Sequence, residues 1–290
     1  MDKIKVKAYG KVNLGLDVLR KREDGYHDLE MVMQQVKLHD DVVVSKRDDD
    51  KIIVTSSAMQ LENGPGNLAY QAAKVILDKF GIKGGVNIDI AKRIPIAGGM
   101  AGGSADCAAT LKAVNELFEC GLTENELRDI GVKLGADVPY CIVGKTAVAR
   151  GIGEILEPVD EPPFCYVVIA KPPISVSTAY IYGNIKPDEI KMRPNTEKIV
   201  EGLRKKDLSL ICNNMYNVME EVTAKKWPQI REIEKVMEDN NAIKAMMSGS
   251  GPTVFGIFSD EENAKKTVDE LKEKDMVEQV YLSGFGGEDD

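Results

Sequence analysis

Apolar and polar residues alternate along the start of the chain. Ile4, Val6 and Ala8 are followed at the same period of two by Val12, Leu14, Leu16 and Val18, which puts every second side chain on one face of a sheet. The pattern predicts strands at 4–8 and 12–18, a turn at Asp24-Gly25, and strand-like runs at 29–36, 41–46 and 51–55. Residues 67–80 then take up helical spacing and stop at Gly81, and 86–90 alternate again. A helix from about 104 to 119 would turn Cys107, Leu111, Val114 and Phe118 to the core. The next helix opens on a capping box, Thr123 with Glu126, and closes at Gly135.

The segment VDEPPF, 159–164, has the composition of a boundary. It predicts two domains, 1–157 and 158–290. Beyond it lie a predicted strand at 165–170, helices within 196–240, strands at 242–247 and 253–258, a helix at 261–274 and a strand at 277–282. With the middle helices grouped, that order is a split β-α-β, so the second half reads as ferredoxin-like and the fold class as α+β.

Composition narrows the chemistry. A chain of 290 residues with 43% hydrophobic and 29% charged residues can bury a full core. Its net charge of −9 argues against a general nucleic-acid binder, because such binding needs Lys and Arg to neutralise phosphates. No apolar run precedes a cleavage site and none is long enough to cross a bilayer, so the expected partners are small molecules, with no membrane and no nucleic acid. Five cysteines without a CxxC pair suit a reducing cytoplasm, and only His27 and His39 are available for a histidine metal site. The pattern leaves monomer and homodimer both open.

One stretch stands out. RIPIAGGMAGGSADCAAT, 93–110, puts four glycines and a serine between an alternating strand and an amphipathic helix. Glycine lets backbone N–H groups approach an anion closely, and a helix N-terminus adds unpaired donors and partial positive charge. That combination can cradle a phosphate. It can equally be a tight turn with close helix–sheet packing. The stretch is not a Walker A loop, since Ser104-Ala105 stands where Lys-Ser/Thr is needed, and it is not GxGxxG.

Pro95, three residues, then Gly99-Met100-Ala101-Gly102-Gly103-Ser104-Ala105 resembles the second signature motif of the GHMP small-molecule kinases. KAYGKVNLGLDVL, 7–19, is similar to that family's N-terminal motif, and KAMMSGSGPTVFGIF, 244–258, to its C-terminal glycine motif. The resemblance implies an N-terminal domain like the second domain of ribosomal protein S5, a ferredoxin-like C-terminal domain, and ATP with Mg²⁺ as cosubstrate and cofactor. It implies that Pro95, Ile96, Ala97, Gly98, Gly99, Met100, Ala101, Gly102, Gly103, Ser104 and Ala105 wrap the phosphates, with Asn67 near the adenine. DGYHDLEMVMQQVKLHDDV, 24–42, and LGADVPYCIVGKTAVARGIGE, 134–154, are similar to a branch of the family whose acceptor carries a cytidine diphosphate.

The resemblance also distributes roles. Asp137, whose plain reading is a helix N-cap beside a proline, would be the base that takes the acceptor's hydroxyl proton. Lys11, plainly a solvated strand lysine, would lie near that carboxylate and steady charge in phosphoryl transfer. Asn13 would hydrogen-bond the acceptor, Tyr26 would stack on its cytosine and His27 would bond the base edge. Tyr182 would close the stack, with Tyr180 as its rival. No metal ligand can be assigned. Two other readings stay open: another GHMP kinase of homoserine or mevalonate type, and a non-catalytic nucleotide sensor on the same fold.

Overall fold

The alternation at the start of the chain produces two long antiparallel strands. In a computed structural model describing residues 2–287, β1 runs Lys3–Lys21 and β2 runs His27–Arg47. Each was expected as two shorter strands. The ladders are continuous instead, because neither Gly10 nor the polar stretch near Asp40 interrupts the pleat. The turn between them is where Asp24-Gly25 predicts it: Arg22 N donates to Tyr26 O at 2.8 Å, Asp24 Oδ1 accepts from Tyr26 N, and Gly25 takes φ +87°. A non-glycine residue would be strained at that angle.

The remaining elements follow in order. They are β3 (Ile52–Ser56), α1 (Leu68–Phe80), β4 (Gly85–Ala91), α2 (Gly102–Leu117), α3 (Glu124–Leu134), α4 (Val138–Val143), β5 (Thr146–Gly151), β6 (Ile155–Pro158) and β7 (Tyr166–Lys171). Then come α5 (Thr178–Asn184), α6 (Thr196–Lys205), α7 (Leu208–Asn214), β8 (Tyr216–Asn217), α8 (Val218–Lys226), α9 (Gln229–Asp239), β9 (Lys244–Met247), β10 (Val254–Phe258), α10 (Glu261–Glu273) and β11 (Gln279–Gly284). The chain packs as two compact units, one from 1–10, 39–96 and 101–144, the other from 11–38, 97–100 and 145–290. Strands β1 and β2 run through both.

In the first unit, β4 pairs antiparallel with the second half of β2 and parallel with β3. Helices α1 to α4 supply the other layer. Asn67 caps α1 by accepting from Ala69 N at 2.8 Å, and Gly81 closes that helix at φ +59°. Thr123 and Glu126 form the expected capping box on α3. Helix α2 begins at Gly102, two residues before the expected start, and Phe118 is its half-buried C-cap. Cys107, Leu111 and Val114 are fully buried.

In the second unit, β7, β9, β10 and β11 form an antiparallel sheet in the order β11-β7-β10-β9. Numbered one to four along the chain, that order is 4-1-3-2, the split β-α-β arrangement expected for the second half. The first half of β2 pairs with β5, and β8 adds parallel to β1 at Gly15 and Leu16. From Gly10 to Val18 every residue of β1 is buried, polar positions included. The second face is covered by Pro194 and Ile199 against Gly15 and by Arg193, whose Nη1 donates to Asp17 at 2.5 Å.

Candidate active site

The glycine loop joins β4 to α2, and its backbone is bent three times. Ala97, Gly99 and Ala101 take φ of +50°, +77° and +58°. Ala101 is the N-cap of α2, and its methyl can accept no hydrogen bond, so no side chain caps the helix. The first N–H groups of α2 therefore remain available to a ligand, with the positive end of the helix dipole behind them. Gly103 is exposed. A Cβ built there would come no nearer than 3.9 Å to another group, Leu68 Cδ1, so packing does not explain the glycine.

Other predicted residues of the first unit stand near this start. Ser104 is the third residue of α2, inside the helix and not its cap. Its Oγ lies 3.7 Å, and Leu68 Cδ1 4.0 Å, from the Cβ position of Gly135. Leu68 directly follows the Asn67 cap, so the starts of α1 and α2 and the Gly135 bend converge. Asp137 is at the N-cap of α4, yet its side chain makes no capping bond and is half-buried. The plain reading of Asp137 as a helix cap therefore fails, and its carboxylate keeps its acceptor capacity.

The second unit gathers Lys11, Asn13 and loop residues 97–100. Lys11 is 4% exposed; its Nζ donates to Asn13 Oδ1 at 2.8 Å and to Gly99 O at 3.2 Å. An ammonium has three donors, so one is left over. The Lys11 backbone N donates to Met100 O at 3.1 Å. Asn13 is fully buried, with its Nδ2 3.4 Å from Met31 Sδ. Ser248 Oγ also donates to Gly99 O, at 3.0 Å, and Thr253 N donates to Gly98 O. A Cβ on Gly99 would fall 2.2 Å from Ser248 O, so only glycine fits there.

The turn between β1 and β2 presents an aromatic group. Tyr26 is 60% exposed. His27 is buried, and its ring stacks on Tyr182 at 5.0 Å and 23°. Burial and the charge of Lys21 push His27 below its ordinary pKa, so the imidazole is neutral at pH 7. Tyr180 faces elsewhere: it meets Trp227 edge-on at 5.8 Å, and Lys226 Nζ sits 3.7 Å from its ring centroid. Tyr182, and not its rival, is the tyrosine at His27.

Sequence reasoning missed a buried ion cluster beside the loop. Lys92 Nζ pairs with Asp40 and, at 2.7 Å, with Asp106 of α2, while Asp40 Oδ1 accepts from Arg93 N and Ile94 N. One lysine serves two buried carboxylates, and desolvation raises Asp106 to about 7. Charges at 40, 92 and 106 read as surface in a sequence. Lys92 directly follows β4 and Asp106 lies near the start of α2, but nothing in the local pattern pairs either with Asp40.

The comparisons agree with this architecture. The model described as GHMP kinases N terminal domain matches residues 67–145, and GHMP kinases C terminal matches 199–275. The chain belongs to the GHMP kinase family. A protein of Alkaliphilus metalliredigens is 46% identical over 93% of both chains, and one of Lachnospira eligens is 44% identical over 98% of both. Each is named 4-diphosphocytidyl-2-C-methyl-D-erythritol kinase, and it is with this branch that the chain groups. A crystal structure of 4-(cytidine 5'-diphospho)-2C-methyl-D-erythritol kinase superposes with TM-score 0.84 at 31% identity, covering 98% of this chain and 100% of that one. Homoserine kinase from Cytophaga hutchinsonii, at TM-score 0.79 and 23% identity over 98% of this chain and 95% of its own, shares the fold. No helix among the described residues is long and apolar enough to cross a membrane, and all five cysteines are free thiols.

Proposed function

We propose that this chain transfers the γ-phosphoryl group of ATP to the 2-hydroxyl of 4-diphosphocytidyl-2-C-methyl-D-erythritol. The products are ADP and the 2-phosphate, a step in the methylerythritol phosphate route to isoprenoid precursors. The observation that carries this reading is near-full-length identity of 44–46% to enzymes named for that acceptor. A glycine loop that runs into an uncapped helix start is consistent with it.

The triphosphate lies along residues 95–105, on the amides of the bent loop and of Gly102 and Gly103. Positioning and charge stabilisation do most of the work in such a transfer. Asp137 accepts the proton of the 2-hydroxyl as that oxygen attacks the γ-phosphorus and ADP leaves. The spare donor of Lys11 bonds an oxygen that gains charge in the transition state. Asn13 fixes the ammonium and aligns the acceptor. Tyr26 and Tyr182 flank the cytosine, and neutral His27 bonds its edge. Asn67 holds the start of α1 near the adenine. Mg²⁺, which keeps several waters and needs few protein oxygens, would sit on the phosphates and neutralise their charge. The Ser104 hydroxyl, in the first turn of α2, would offer it a side-chain oxygen. The family's two domains divide near 157/158, consistent with the spans 67–145 and 199–275.

A coupled ADP-release assay offering the diphosphocytidyl alcohol, homoserine and mevalonate tests the reading. Release with the first alone supports it. Release with another, or with none, overturns it.

A further inference from the structure

Asn217 is 1% exposed and lies between two parts of the second unit that the proposed chemistry uses. Its backbone belongs to β8, which pairs with β1 at Gly15 and Leu16, on the strand that carries Lys11. Its side chain reaches the other way. Nδ2 donates to Met247 O at 2.9 Å and to Gly249 O at 2.8 Å, bracketing Ser248, while Oδ1 caps α8 by accepting from Met219 N at 3.0 Å. Glu220, one turn into α8, adds a second tie by accepting from Met247 N at 2.7 Å.

What these bonds hold is the 248–251 turn, and the turn in turn holds the loop. Ser248 Oγ and Lys11 Nζ donate to the same acceptor, Gly99 O. The fit leaves no slack: a Cβ on Gly249 would come 2.8 Å from Gly99 O. The chain of contacts closes on itself, from β1 through β8 and Asn217 to the turn, to Gly99 O, and back to the Lys11 ammonium on β1.

We infer that Asn217 is a positioning residue for phosphoryl transfer: through the 248–251 turn it sets where Gly99 O stands, and so where the Lys11 ammonium points. The inference rests on the proposed role of Lys11. Asparagine suits the place because it accepts and donates at once. An aspartate would keep the α8 cap but has no N–H for the two carbonyls, and a serine would keep the cap without the reach. These two variants therefore separate a helix-capping role from a positioning one.

The test measures kcat and both KM values for Asn217→Asp, Asn217→Ser, Ser248→Ala, Asn217→Asp/Ser248→Ala and Lys11→Met, with thermal melts alongside. The expected result is a fall in kcat of about tenfold or more in a cooperatively melting Asn217 variant, with KM for the diphosphocytidyl acceptor within about twofold of wild type. Adding Ser248→Ala should cost little more, because both changes break one route. Turnover near wild type in a folded Asn217 variant, or costs that multiply in the double variant, overturns the inference. If Asn217→Asp fails to fold, Asn217→Ser carries the same test without a buried charge. Normal turnover in Lys11→Met overturns the Lys11 role and the inference together; loss there beside normal turnover in Asn217→Ser overturns the inference alone.

Discussion

Gly103→Ala separates what the fold needs from what the nucleotide needs. The residue is the second of α2, its φ lies outside the left-handed region, and a methyl there would approach nothing nearer than 3.9 Å. The substitution should thus be tolerated. Alanine in a helix is better than glycine by up to about 1 kcal/mol, partly through the unfolded chain. The melting temperature should hold steady or rise by up to about 4 °C. ATP should bind worse, because the methyl occupies the approach to the amides proposed to hold a phosphate. Losing one hydrogen bond to a charged group costs roughly 1.5–3 kcal/mol, which raises KM for ATP roughly ten- to 150-fold. Steady-state kinetics with varied ATP, and a melt without ligand, measure both. An unchanged KM for ATP in a variant at least as stable as wild type would refute the placement of the phosphates on α2.

Gly99→Ala should do the reverse at the level of folding: with φ +77° and a Cβ 2.2 Å from Ser248 O, it should lower the melting temperature and abolish turnover, and an unchanged melt would contradict the packing described. Tyr26→Ala should raise KM for the cytidyl acceptor roughly five- to 150-fold, from a stacking contribution of about 1–3 kcal/mol, and leave KM for ATP nearly alone. Asp106→Asn should flatten the pH dependence of stability. With Asp106 raised to about 7, the folded state keeps a proton that the unfolded state loses near pH 4, so stability falls as pH rises from about 4 to about 7, by at most about 4 kcal/mol from this group. Urea midpoints across that range that slope as steeply in the variant as in wild type would remove Asp106 as the cause.

Local rules made much of this structure legible in advance. The Asn67 cap, the Thr123–Glu126 box and the Asp24-Gly25 turn each depend on neighbours a few residues apart, and each forms as expected. The ferredoxin-like order was readable because its strands and last helix are separated by clear turns. Helix α4 was legible only through the cap reading of Asp137, since six residues with a proline in the first turn leave no periodicity to detect. Strands β5 and β6 went unread beside it. The polar face of β1 misled in a different way: Lys11, Asn13 and Asp17 alternate as a solvated face would, yet all three are buried, Asp17 under Arg193, Lys11 against Gly99 and Asn13 beside Met31. Asn217 looks like an ordinary cap in sequence. Its two bonds to the 248–251 turn exist only in the folded unit.

The most direct test of the account is single turnover by Asp137→Asn. Amide replaces carboxylate at a side chain that caps no helix, so folding and ATP binding should be unchanged. With ATP bound, to be verified by calorimetry, the rate of phosphoryl transfer to the diphosphocytidyl alcohol should fall by at least about a hundredfold, the scale of general-base assistance. A rate within a few-fold of wild type would contradict Asp137 as the base.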